Sequence, residues 1–246
     1  MLLCCDVGNT TLHLGRVEDA AVVATASRAF SKRGWEALPW PGRPERVAIA
    51  SVSAPNLERA LLWLEAMGCP RPVVLGVDRP FPIRAQVRVP AEAGADRLAN
   101  AVAARTLVGA PSVVVDFGTA TTFDVVDASG AYVGGAIAPG IGLAGWALAE
   151  RTDRLMEVDL TWPEERIGHD TASCLRVGIV RGTAGLVEAI LAGIRAEIGP
   201  CPVVATGGDA PRVAPHCPSI HEVRPTLTLE GIRIAMEERP SSGVAD

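Results

Sequence analysis

One motif stands twice in this chain, and no other feature limits the possible folds as much. Near the N-terminus is CCDVGNTTLHLGRV, with Asp6, Gly8, Asn9 and Thr10. Midway is VVVDFGTATTFDVVD, with Asp116, Gly118, Thr119 and Thr122. Each copy is an apolar run ending in Asp-x-Gly, then small hydroxyl or amide residues, then a second β-rich run. That order predicts a strand, a tight turn and an antiparallel strand. A carboxylate at a strand end can hold a cation, directly or through water. Glycine lets the backbone approach a phosphate, and Thr and Asn side chains can hydrogen-bond its oxygens. Two such turns facing each other make a cleft for a nucleotide and its metal.

The surrounding pattern repeats too. Residues 2–6, 11–16 and 20–26 read as three consecutive strands, and 112–117, 120–126 and 131–138 restate them. Further strands are expected at 47–52, 72–76, 202–206 and 219–223. Residues 55–67 predict an amphipathic helix, opened by Pro55 and followed by Gly68. Helices are also expected from Gly94 to Gly109 and over 139–150, 171–197 and 226–238. Gly178, Gly182 and Gly185 fall on or near one face of the 171–197 helix, which suits close backbone packing or the approach of a base. Trp35 to Arg46 reads as loop, 151–170 as irregular chain and 240–246 as a disordered tail. A chain of 246 residues accommodates two lobes of roughly 110–130 residues each. The turn GAP at 109–111 sets them at 1–108 and 109–239.

Composition removes several classes of function. With 48% hydrophobic and 21% charged residues the chain reads as soluble and globular, and a net charge of −5 argues against a nucleic-acid partner. No uninterrupted apolar run approaches the roughly 18 residues that span a bilayer. The N-terminus has no basic region and meets Asp6 almost at once, unlike a signal peptide. A cytoplasmic protein without a membrane partner is the expectation. Lys32 is the only lysine and follows no Gly-rich turn, so there is no P-loop lysine. Phosphates would have to be met by backbone N–H groups, helix N-termini, arginine and a metal. Cys4 and Cys5 are adjacent in a strand and point to opposite faces. Cys201, His216, Cys217 and His221 fit no zinc-finger spacing and read as core residues.

Six motifs follow one another: DVGNT at 6–10, GADR at 94–97, DFGTATTFD at 116–124, GGAIAPG at 134–140, TGGDA at 206–210 and LTLEGI at 227–232. Three strands followed by alternating helices and strands, stated twice, resemble the duplicated ribonuclease-H-like architecture of the acetate/sugar kinase, Hsc70 and actin superfamily. The ordered motifs are similar to those of type III pantothenate kinase, a family that also includes Bvg accessory factor proteins, and the resemblance covers nearly the whole chain. It implies an α/β fold of two lobes around a nucleotide cleft. It also implies ATP-dependent phosphorylation of pantothenate to 4′-phosphopantothenate, the first step of coenzyme A synthesis. The further implications are Mg²⁺, a monovalent cation such as K⁺ or NH₄⁺, and a homodimer in which the neighbouring subunit completes the pantothenate pocket.

Site residues follow from the matching positions. Asp6 would anchor Mg²⁺–ATP, within an ATP-binding stretch of Asp6, Val7, Gly8, Asn9, Thr10, Thr11, Leu12 and His13. The plainer alternative is an Asx-turn hairpin. Gly94, Ala95, Asp96 and Arg97 would meet pantothenate, with Asp96 accepting the proton of the attacking hydroxyl. Arg97 would pair with the substrate carboxylate or the transferring phosphoryl group. The alternative for Asp96 is a helix-start carboxylate favoured by the macrodipole. Asp116 corresponds to the monovalent-cation ligand and Thr119 to a phosphate contact; a strand-end carboxylate capping its own turn is the competing reading. Asp124 reads as structural. Thr171 corresponds to a pantothenate contact, or is a helix cap. Gly207 and Gly208 would shape a turn beside the adenine. The chain departs from the pattern at Val87, where many relatives carry a pocket tyrosine; its only tyrosine is Tyr132. It departs again at Thr152 to Met156. Two rivals remain: a related small-molecule kinase with an altered acceptor pocket, and a non-catalytic Bvg accessory-type regulator.

Overall fold

The structure, a computed structural model, describes residues 1–31 and 37–238, so Trp35 and the 240–246 tail lie outside it. Ten strands form two sheets. They are β1 (Leu2–Val7), β2 (Thr11–Glu18), β3 (Ala21–Ala29), β4 (Arg46–Ser51), β5 (Val73–Val74), β6 (Ser112–Phe117), β7 (Ala120–Val126), β8 (Tyr132–Pro139), β9 (Val203–Thr206) and β10 (Glu222–Val223). The first sheet runs β3-β2-β1-β4-β5 and the second, read from its opposite edge, β8-β7-β6-β9-β10. In each, an antiparallel three-strand meander is extended by a parallel strand beside its first member: β4 beside β1, β9 beside β6. The sheets are topological copies, the duplication that the repeated motif predicts.

Among the described residues seven α-helices complete the fold: α1 (Ala54–Ala66), α2 (Ala95–Leu107), α3 (Ile141–Glu150), α4 (Thr171–Arg176), α5 (Gly182–Ile198), α6 (Ala210–Val213) and α7 (Leu227–Glu237). Strand side chains alternate between faces, so each sheet buries two layers. Leu3, Cys5, Val7, Leu12 and Leu14 pack outward with Ala60, Trp63 and Leu64 of α1. Leu2, Cys4, Ala48 and Ala50 pack inward, and so do Val114, Val126 and Val204 of the second sheet. The inner layer between them is made by α2 and α7, which also pack on each other. On the far side of the second sheet, Val113, Val115, Phe117 and Phe123 meet Val187 and Leu191 of α5. The order is therefore helix, sheet, helix pair, sheet, helix. The two sheets share the middle layer, and α7, last in the chain, lies against β1 and β4 of the first sheet. Cys4 and Cys5 do lie on opposite faces, one in the inner and one in the outer layer.

Three local outcomes refine the expected elements. β5 is two residues long because Asp78 draws the Val74 N–H to its carboxylate (2.9 Å) and turns the chain. β10 begins only at Glu222, because the Ser219 N–H donates to Glu188 (3.0 Å) and its carbonyl accepts from Arg195 (3.2 Å). The 171–197 helix runs from Thr171 to Ile198, but widens into a π turn over Val177–Arg181 between α4 and α5. That 28-residue helix is long and apolar enough to cross a membrane by length and composition alone, but Arg176, Arg181, Glu188, Arg195 and Glu197 break it, so it holds no uninterrupted apolar span. Only 28% of its most apolar window is buried.

Candidate active site

The two Asp-x-Gly turns lie at the ends of β1 and β6 and reach toward each other. In the first, the Gly8 N–H donates to the Thr11 carbonyl (3.0 Å), and Val7 pairs with Leu12 across residues 8–11. In the second, the Gly118 N–H donates to Ala120 (3.0 Å), and Phe117 pairs with Thr121 across residues 118–120. The second turn is one residue tighter. Their tips meet, the Thr10 and Thr119 hydroxyl oxygens standing 2.9 Å apart. Gly140 at the end of β8 packs directly against the second turn, where a Cβ would overlap the carbonyls of Gly118 and Thr119.

α2 delivers the acceptor-side candidates. Gly94 is its N-cap, and a Cβ at Gly94 would strike the Asp96 carboxylate. Asp96 Oδ1 accepts the Arg97 N–H (2.7 Å), so this carboxylate does sit at the helix start. The Arg97 guanidinium turns to β7: Nε donates to Asp124 (2.6 Å), Nη2 to the Phe123 carbonyl (2.9 Å), and the group lies 5.7 Å over the Tyr132 ring. One helical turn beyond Asp96 is Asn100, fully buried. Its Nδ2 donates to Asp116 (3.1 Å) and to Asp124 (3.2 Å), while its Oδ1 accepts from Thr228 of α7 (2.8 Å). Asn100 thus bridges the carboxylate of the second turn and the counterion of Arg97. Asp116 also lies against Gly207, whose positive φ of 93° suits glycine. Any side chain there would overlap the Asp116 carboxylate.

Four carboxylates in one wall cannot all be charged cheaply. Burial raises Asp6 well above the usual carboxylate range, and the charges of Asp96 and Asp116 raise it further. Burial also lifts Asp96, against the pull of the Arg97 N–H and guanidinium. Asp116 is pushed up to about 6, by burial first and by Asp96 second, with the Asn100 hydrogen bond opposing. Asp124 rises to about 7 through burial, although Arg97 and Asn100 hold it down. Desolvation dominates in every case, and repulsion from a neighbouring carboxylate adds to it at Asp6, Asp116 and Asp124. Among the described residues no three His, Cys, Asp or Glu side chains are grouped so as to hold a metal ion. One or two carboxylates completed by phosphate and water are a donor set that suits Mg²⁺.

The remaining candidates divide by position. His13 shares the Asp6 pairing, bonds Ser27 at 2.8 Å and has its pKa lowered by burial. The Val7 and Leu12 side chains are buried in the outer layer, so only their backbone is available to a nucleotide. Thr11 is half-buried beside Thr10, with hydroxyl oxygens 3.4 Å apart. Val87 packs at the edge of the inner core, its Cγ1 facing Gly134. Thr171 is not a cap: Asp170 caps α4 through a capping box with Ser173. Thr171 instead lines an open, largely apolar hollow of about 760 Å³, with Pro139, Leu148, Cys174 and Gly178. The hollow's lining contains none of the four aspartates. Of the former zinc candidates, His216 stacks on Trp162 (3.4 Å) and His221 accepts the Val203 N–H (3.0 Å). Asn56, Asn100 and Thr228 were not foreseen. The available signal was a polar residue inside an apolar helical face; Asn100 falls four residues after Asp96, on the same face.

The chain is 40% identical over 252 residues to the type III pantothenate kinase of Thermomicrobium roseum, covering 96% of this chain and 97% of that protein. It is 38% identical over 255 residues to the type III pantothenate kinase of a Roseiflexus species, covering 96% and 98%. Among solved structures, a conserved putative Baf family transcriptional activator from Campylobacter jejuni superposes with a TM-score of 0.66. That pair is 19% identical over 96% of this chain and 97% of the other, a likeness of fold. The profile of the type III pantothenate kinases matches residues 2–193. With that match and close relatives along nearly its full length, the chain belongs to the type III pantothenate kinase family.

Proposed function

We propose that this chain transfers the γ-phosphoryl group of ATP to the hydroxyl of pantothenate, yielding 4′-phosphopantothenate, and that the wall of Asp6, Asp96 and Asp116 is where it does so. The observation that carries the assignment is geometric: Asn100, one turn of α2 beyond Asp96, holds the Asp116 carboxylate of the second turn (3.1 Å), and Asp6 stands at the end of β1 beside the first turn. A nucleotide fits there because the Thr10–Thr119 contact brings the two small-residue turns to one point.

Phosphoryl transfer passes through a loose transition state, so placement and charge matter more than a strong base. Asp96 orients the attacking hydroxyl and takes its proton late. Arg97, braced by Asp124, supplies positive charge beside it. Asp6 would hold Mg²⁺ riding on the phosphates, where the ion offsets charge developing on the β- and γ-oxygens. Asp116, a desolvated hard-oxygen donor held by Asn100, would hold K⁺ or NH₄⁺ beside Thr119. ATP as the phosphoryl donor makes the cytoplasm the working compartment.

The homodimer belongs to the same reading. Trp146 of α3 is 50% exposed and Ile137 of β8 is 66% exposed, on the elements that border the Thr171 hollow. A second copy packed there would cover them and bring Thr171 to the acceptor pocket of its partner. An ADP-release assay with pantothenate, ATP, Mg²⁺ and K⁺ tests the activity. Turnover requiring all four is expected, and none above background would end the proposal.

A further inference from the structure

Asn56 sits in the first turn of α1 and is 8% exposed. Its Nδ2 donates to two consecutive backbone carbonyls of the first turn, Gly8 (3.0 Å) and Asn9 (2.9 Å). Two acceptors on one side fix the amide orientation, because only the NH₂ end can face them. The Oδ1 end faces Arg59 Nη1 at 3.4 Å, and Arg59 is itself anchored to the Phe30 carbonyl (2.7 Å). The peptides involved are trans. In a trans peptide the carbonyl and the following N–H point in opposite directions. Holding the Gly8 and Asn9 carbonyls toward α1 therefore turns the Asn9 and Thr10 N–H groups away from α1, toward the side of the turn that α1 leaves open. Asn9 and Thr10 are both exposed and lie outside the β1 and β2 strands. Successive N–H groups facing one way form an anion-binding concavity, which a chain without a P-loop lysine needs.

We propose that Asn56 is a positioning residue for ATP, aiming the Asn9 and Thr10 amides at the phosphate chain. The inference rests on the assignment of the Gly8–Thr11 turn to the phosphates. Asn56→Asp keeps the shape, removes both donors and sets a carboxylate against two carbonyls; Arg59 is at hand to hold the new charge. The expected result in the full-length enzyme is a rise of about tenfold in KM for ATP and a matching loss of ADP affinity by calorimetry. KM for pantothenate should stay within about twofold. An unchanged KM for ATP, or equal rises for both substrates, overturns the proposal. Asp6→Asn, assayed in parallel, separates the two levels. If it weakens ATP while Asn56→Asp does not, only the role of Asn56 falls. If neither does, the turn is not the phosphate site. Should Asn56→Asp fail to fold, amide exchange in the unmodified enzyme decides: the Asn9 and Thr10 amides should exchange fast alone and slow when ADP is added. Protection already complete without ADP overturns the idea.

Discussion

Asp96 and Asp124 are both aspartates beside Arg97, yet their surroundings give them different work. Asp124 is fully buried and committed to Arg97 and Asn100; Asp96 has only a backbone N–H and the helix start. Asp96→Asn should therefore lower turnover by roughly 10²-fold or more while leaving melting temperature and dimer intact. Wild-type turnover in that variant would refute the assigned base. Asp124→Ala should destabilise the fold by about 3–5 kcal/mol, since it strands a guanidinium that is 15% exposed. Denaturant titration measures that loss.

The same carboxylates set a pH dependence. In the unfolded chain they release protons near the ordinary value of about 3.9; folded, Asp116 does so at about 6 and Asp124 at about 7. Between those limits the folded protein holds more protons, so their contribution to stability is full at low pH and is lost as pH rises to about 7. The ligand-free enzyme should thus gain more in melting temperature from added K⁺ at pH 7.5 than at pH 4.5. An equal gain at both would remove the cation from this wall.

At the scale of elements, the sequence was readable where one local rule governed. β1, β6 and β9 are short apolar runs buried on both faces, and Pro55 with Gly68 bracket α1 as written. Legibility failed where a distant partner intervened. Asp78 shortened β5, and Glu188 with Arg195 shortened β10. Asp170, a competitor of Thr171 for the cap of α4, took it because Ser173 could answer it three residues on. The amides Asn56 and Asn100 were invisible for the same reason: their acceptors lie 47 and 16 residues away or more. Contact between α2 and α7 yields a further test. A Cβ on Gly231 would overlap the Ala99 carbonyl, so Gly231→Ala must push the helices apart. The expected cost is about 1–3 kcal/mol, with loss of the Thr228–Asn100 bond and of activity. A variant as stable as the parent would show that the helices do not cross so closely.

For the whole molecule, the proposed dimer rests on Trp146 of α3 and Ile137 of β8, both exposed. Trp146→Glu should convert the proposed dimer to monomer by sedimentation and abolish pantothenate turnover, because Thr171 would lose its partner. A monomer of undiminished activity would separate Thr171 from the acceptor pocket.

The shared middle layer also bears on how the protein is made. The strands of the first sheet are all synthesised by residue 74, but the helix that covers their inner face begins at Leu227. Translation thus leaves Leu2, Cys4, Ala48 and Ala50 without part of their cover until α7 has been made. The first sheet is finished only after the strands of the second exist, and over that interval the nascent chain carries an apolar face that, of the two helices, α2 alone covers in part.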